Sequence, residues 1–182
     1  MFDVEGFVEN LVKSNSESDP HLAVRDVLDE VLAQPEFGQA FGEPAAGLNV
    51  LYNTAEFTVL NVVWPPLMTL QPHDHRMWAA IGIYGGREDN VFYRRNGPTL
   101  EESGGKMLTE RDVLLLGDDT VHSVHNPSRS HAGAIHVYGG DFIRAPRSQW
   151  PPETLTEEPY DLGAVRREFA RAEQAASADT GG

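Results

Sequence analysis

Along the first 35 residues, apolar side chains recur at helical spacing. Val4, Phe7, Val8, Leu11 and Val12 stand three and four apart, which puts them on one stripe and predicts a helix over 2–14. Ser14 to Ser18 interrupt the stripe. Asp19-Pro20 then opens a second helix, because an aspartate can cap free amides and proline fits a first turn. Its stripe is Val24, Val27, Leu28, Val31 and Leu32, and Pro35 stops it. Both helices are expected to pack outside a sheet domain. Near residue 48 the period shortens to two, the spacing of a strand with one buried face. Strands are predicted at 48–52, 57–64, 78–85 and 90–95, with shorter ones at 106–109, 113–116, 121–125 and 134–138. Gly85-Gly86, Gly104-Gly105, Gly117-Asp118-Asp119 and Asn126-Pro127-Ser128 separate them with turn-forming residues. Many short strands at near-regular spacing indicate a sandwich or barrel. Past Tyr138 the pattern gives way to a segment rich in proline (Pro146, Pro151, Pro152). A last helix is predicted over 161–174, with Leu162, Val165 and Phe169 as its sparse apolar face. The small, polar stretch 175–182 is expected to be disordered.

Composition narrows the chemistry. At 182 residues the chain suits one domain: a helical segment over 1–37, a barrel over 48–145 and a C-terminal extension over 146–174. The net charge of -14 would repel both nucleic-acid phosphate and an anionic membrane, so neither is an expected partner. With no cysteine there are no disulfides, and any metal must be held by His, Asp or Glu. Met1-Phe2-Asp3-Val4-Glu5 lacks the basic start and apolar run of a signal peptide, and no stretch reaches the roughly 20 apolar residues of a membrane span. A cytoplasmic protein is the expectation.

The candidate chemistry lies in Gln71-Pro72-His73-Asp74-His75. In an extended chain residues i and i+2 project from one face, so His73 and His75 stand side by side and Asp74 points away. Pro72 supports the extended reading, since it bars helix and restricts its predecessor. Two imidazoles converging from one strand are two ligands of a metal site that lacks a third. The stretch 119–126 offers His122 and His125, of opposite parity. His122 sits within a strand, whereas His125 adjoins the Asn-Pro turn, so His122 is the preferred ligand. Three neutral ligands leave the metal its full charge and several open positions. Zinc there would favour a hydroxide for hydrolysis, and ferrous iron could take an anionic substrate atom beside dioxygen. Downstream, His136 and Tyr138 again share a face, either as a hydroxyl donor with a proton relay behind it or as core packing.

Val63-Trp64, Pro72-His73-Asp74-His75, Met77-Trp78-Ala79-Ala80-Ile81-Gly82, His122 to Asn126 and Ile135-His136-Val137-Tyr138-Gly139 together resemble the bacterial thiol dioxygenases. That cupin family includes cysteine dioxygenase and 3-mercaptopropionate dioxygenase. The resemblance runs over about 48–148 with the motifs in family order. It implies a mainly β fold, the double-stranded β-helix or jelly-roll barrel. It also implies Fe(II) on His73, His75 and His122 (Ni or Zn as isolated), with a small thiol oxidised by O2 to its sulfinate. Tyr138 and His136 would serve catalysis, and Arg147, its neighbour Arg144, and Trp78 would bind substrate.

Three departures stand out. The family's Ser-x-His-x-Tyr reads Ala134 at the Ser position. The cysteine that some members cross-link to the tyrosine is matched to Ala80, as in bacterial members that lack it. The arginine that cysteine-type members carry upstream is missing from 47–52, whereas the 3-mercaptopropionate type uses an arginine beyond the tyrosine, here Arg147. The same residues leave two other classes open: a cupin oxygenase of a non-thiol small molecule, and a non-catalytic cupin that binds a metal or small molecule.

Overall fold

The computed structural model describes residues 2–42 and 45–179. Two helices come first, α1 (Val4–Ser14) and α2 (Pro20–Leu32). Each is opened by an aspartate, Asp3 accepting from the Gly6 amide at 3.0 Å and Asp19 from the Leu22 amide at 3.2 Å. The strands follow: β1 (Gly47–Asn53), β2 (Thr58–Trp64), β3 (Thr69–Asp74), β4 (Ala79–Gly85), β5 (Arg87–Asn96), β6 (Thr99–Thr109), β7 (Val113–Leu116), β8 (Val121–His125) and β9 (Ala132–Tyr138). Two short strands, β10 (Ser148–Gln149) and β11 (Glu158–Pro159), precede the last helix, α3 (Leu162–Asp179).

One sheet runs β1-β2-β9-β4-β7 and the other β11-β10-β3-β8-β5-β6, with antiparallel pairing throughout. The chain passes back and forth between the sheets, which closes a jelly-roll double-stranded β-helix. No helix among the described residues is long and apolar enough to cross a membrane.

Side-chain parity divides the five-stranded sheet into two cores. Leu60, Val62, Trp64, Ala79, Ile81, Ala134 and Tyr138 turn inward with Leu70 and Val124 of the facing sheet. Their neighbours Val59, Ala80, Ile135 and Val137 turn outward, where Phe7, Leu11, Val24, Leu28 and Leu32 of the two helices cover them. Each such large side chain contributes about 1.5–3 kcal/mol by leaving water, so the helices are part of the folded unit. Gly82 allows the close approach of α2: a Cβ there would lie 3.0 Å from Leu32 Cδ1.

Three segments differ from their sequence expectation. β6 begins at Thr99, not at residue 106, because its partner along the whole length is β5. It edges the sheet with both faces largely exposed, so no alternation marks it. The proline-rich segment contributes β10 and β11, pairing that rests on backbone groups and leaves no side-chain period. The stretch from Ala175 is helical through Asp179, and Ala175, Ala176 and Ala178 explain this by their high helix propensity. Residues 180–182 lie outside the described residues.

Candidate metal centre

His73 and His122 are register partners across β3 and β8, and His75 follows one residue past the end of β3. The two-residue spacing brings His75 to the same face as His73. All three are buried, at 4, 2 and 1 per cent exposure for His73, His75 and His122. Their ligand atoms lie within 4.8 Å of one another. His75 Nε2 is 3.2 Å from His73 Nε2 and 3.3 Å from His122 Nε2.

The other ring nitrogens decide what these atoms are. His73 Nδ1 donates to the Gln71 carbonyl at 3.0 Å, and His122 Nδ1 donates to Asn90 Oδ1 at 2.7 Å. In the neutral ring that leaves both Nε2 atoms as lone pairs. Burial pushes all three histidines below their ordinary value, His73 to about 4, and the neighbouring imidazoles push His75 and His122 further the same way. Near neutral pH three uncharged rings therefore aim nitrogen at one point. One proton on His75 can bridge to only one neighbour, whereas a divalent ion satisfies all three lone pairs. At the usual 2.0–2.1 Å metal–nitrogen length, ligand nitrogens lie about 2.9–3.4 Å apart, the spacing of His75 Nε2 from each of its two neighbours here. The residues fit a metal ion.

Asp74 turns away from the triad, as alternation requires, yet it is fully buried. Its carboxylate meets Arg76 Nε and Arg95 Nη2, each at 2.5 Å, and accepts from the Ser148 amide at 2.8 Å. That last bond ties the segment after β9 to the ligand strand, and Gln149 pairs with His73 alongside it. Arg147 is thereby carried to the cluster. Its guanidinium carbon lies 3.9 Å from the centre of the Phe142 ring and 4.0 Å from that of Tyr160, a double cation–π contact. Phe142 and Tyr160 in turn stand 5.9 Å from His75 and 5.8 Å from His73, ring to ring. Arg147 Nη1 donates to the Phe142 and Ala145 carbonyls, while its buried Nε and Nη2 make no hydrogen bond. Among the described residues no carboxylate pairs with it.

Tyr138 closes another side. Its ring packs edge-on against His75 with centroids 5.0 Å apart and stacks on Phe142 at 4.1 Å. Burial raises its hydroxyl well above the ordinary value, so it is a phenol. The hydroxyl is 3.1 Å from His136 Nδ1. Behind His136 lies Glu88 of β5, fully buried, with Oε2 at 3.5 Å from His136 Nε2. Trp64 Nε1 donates to Glu88 Oε2 at 2.8 Å and Asn90 Nδ2 to Oε1 at 3.0 Å.

Several residues singled out in the sequence lie elsewhere. Trp78 has the parity of Ala80, so it packs in the outer core with Phe57 and faces His21 at 5.0 Å, away from the triad. Arg144 is 80 per cent exposed and pairs with Asp141. Ala80 also faces outward, and the residue opposite Tyr138 in the register is Ala79, so the match of Ala80 to the cross-linking cysteine does not hold. The remaining histidines have partners of their own: His21 with the Ala79 carbonyl, His125 with Thr69 and the Met68 carbonyl, His131 with Glu173. Glu88, Asn90, Phe142 and Tyr160 were not anticipated. Only Glu88 and Asn90 left a signal, as polar residues two apart entering an otherwise β-rich strand.

The strand order and the inward ligands together settle the architecture. The chain has the cupin fold. A protein of Bacillus halodurans matches it with a TM-score of 0.52 at 12% identity, covering 70% of this chain and 87% of that one. An uncharacterised conserved Klebsiella pneumoniae protein with a double-stranded β-helix domain matches at TM-score 0.47 and 13% identity, over 62% of this chain and 87% of its own. A cupin family protein of Methanocaldococcus jannaschii matches at 0.46 and 12%, over 56% and 85%. At such identities the likeness concerns the fold and not the chemistry. No protein-family profile matches the chain.

Proposed function

We propose that the protein is a non-haem Fe(II) dioxygenase that oxidises a small carboxylate-bearing thiol, 3-mercaptopropionate ahead of cysteine, to its sulfinate. The observation that carries this reading is Arg147, a buried guanidinium with two unused donors beside three neutral histidines. A buried cation without an anion is costly, and a substrate carboxylate accepting from Nε and Nη2 would relieve it. The neutral triad likewise favours an anionic ligand atom at the metal, and a thiolate supplies one. Ferrous iron held by His73, His75 and His122 would contribute the redox chemistry with dioxygen. Arg147, clamped by Phe142 and Tyr160, would orient the substrate, and the apolar walls of Phe142 and Tyr138 would exclude water.

The test is oxygen uptake by iron-loaded protein with 3-mercaptopropionate, cysteine and 2-mercaptoethanol. We expect one O2 consumed per thiol, a sulfinate product, and a strong preference for the carboxylated thiols. Equal rates with 2-mercaptoethanol would remove the role of Arg147. No uptake with any thiol would favour the other classes, a cupin oxygenase of a non-thiol small molecule or a non-catalytic cupin that binds a metal or small molecule.

A further inference from the structure

The group behind Tyr138 has a definite polarity. Both Glu88 oxygens accept from donors, Oε1 from Asn90 Nδ2 at 3.0 Å and Oε2 from Trp64 Nε1 at 2.8 Å. Glu88 is fully buried, and the carboxylate form meets both donors and also faces His136 with negative charge. His136 is the ion-pair contact it makes among the described residues, with His136 Nε2 3.5 Å from Oε2 and without a hydrogen-bond partner. A proton on Nε2 faces a negative charge, whereas a lone pair there would be repelled by it. With Nε2 protonated, Nδ1 of the neutral ring is an acceptor, and the atom within reach is the Tyr138 hydroxyl at 3.1 Å. Tyr138 thus donates to His136, and its oxygen keeps its lone pairs free to accept. Ala134, where the resemblance implies serine, offers no hydroxyl on that face, so the support for His136 comes from another strand.

We propose that Glu88 is the positioning residue of a Tyr138–His136–Glu88 relay that receives the proton of the substrate's thiol. This rests on the thiol reading above. The S–H bond breaks as its proton passes to the Tyr138 oxygen, and the original Tyr138 proton passes to His136 Nδ1. The products are a thiolate, an intact phenol and an imidazolium beside the Glu88 carboxylate, with no charge created overall. The transfer also reverses Tyr138. It begins as an acceptor and ends as a donor aimed at the thiolate it has produced. The logic is that of a carboxylate–histidine–hydroxyl triad, in which the carboxylate selects the tautomer and stabilises the imidazolium.

The test reads the tautomer directly, by 15N NMR of the imidazoles in zinc-loaded, diamagnetic protein. In the wild type His136 should carry its proton on Nε2. Glu88→Gln cannot accept from Asn90, Trp64 and His136 together, so this preference should be lost. In iron-loaded protein at matched metal content, Glu88→Gln should lower kcat at least about tenfold, as removal of a proton-transfer partner does, with KM within about twofold. Adding Glu88→Gln to Tyr138→Phe should cost little more, because the relay is already cut. A wild-type His136 protonated on Nδ1 alone would overturn the proposal, as would a Glu88→Gln variant with unchanged tautomer and kcat, or fully multiplicative effects of the two substitutions. The wild-type spectrum decides even where a variant fails to fold. It also needs no substrate: an Nε2-protonated His136 in a protein that consumes no thiol keeps the relay and removes the thiol, and the reverse pattern removes the relay alone.

Discussion

His73 and His122 face each other across β3 and β8, and each has its Nδ1 occupied, one by the Gln71 carbonyl and the other by Asn90 Oδ1. The consequence is that both rings present Nε2 to one point, already oriented. Little reorganisation remains when an ion arrives, which is the reason ligand histidines in proteins so regularly have such partners.

Metal binding should follow this arrangement. Replacing His73, His75 or His122 by Ala should cut metal occupancy sharply, whereas His125→Ala should leave one equivalent bound. Asn90→Ala should weaken binding by about ten- to hundredfold, because His122 loses the acceptor that selects its tautomer. Elemental analysis and a competitive chelator titration measure both. A full equivalent of metal on the His122→Ala protein would mean that another residue supplies the third ligand.

The metal-free protein should lose stability in acid over a defined window. Burial holds His73 at about 4 in the folded state, against an ordinary value of 6.5, and lowers His75 and His122 as well. Between these values the unfolded chain binds more protons, so stability is complete above pH 6.5 and declines as pH falls toward 4. His73 alone contributes about 3 kcal/mol of this loss. Urea unfolding at a series of pH values should show the decline, with a smaller slope for His73→Gln. A flat profile would contradict the burial of the triad.

Arg147→Ala should raise KM for carboxylated thiols and lower kcat/KM about ten- to hundredfold, since a charge-assisted hydrogen bond is worth about 1.5–3 kcal/mol. The rate with 2-mercaptoethanol should change far less. Steady-state oxygen uptake with both substrates separates loss of the carboxylate contact from general damage to the site.

Asp74→Asn should act on the same pocket from behind. It weakens the contacts to Arg76, Arg95 and the Ser148 amide that moor the Arg147 segment to β3. We expect a loss of about 2–3 kcal/mol in unfolding free energy. A raised KM at nearly unchanged metal content should accompany it. Unaltered KM would show that the segment is held by Phe142 and Tyr160 alone.

Tyr138→Phe should lower kcat about a hundredfold, as removal of one pre-placed polar group at a reaction centre does. Metal content and melting temperature should hardly move, because the ring still stacks on Phe142. Full activity at matched iron content would reduce the His136–Tyr138 pair to core packing and weaken the dioxygenase reading.

Local rules of the chain determined much of this protein. Periodicity and caps placed α1, α2 and most strands, and two-residue spacing put His73 beside His75 and His136 beside Tyr138. They could do so because helix stripes and strand alternation depend only on neighbours in sequence. Parity, however, says that two residues share a face and not which face it is. Trp78 and Ala79 differ by one position, and only the burial of one side of β4 beneath α2 sends Trp78 outward and leaves Ala79 opposite Tyr138. The same limit hid Glu88, whose partner His136 is 48 residues away in the other sheet. Arg147 was visible only as a charge past the tyrosine. Its burial between Phe142 and Tyr160 is decided by the Asp74–Ser148 bond and by strand pairing between distant segments, and no local pattern encodes such pairing.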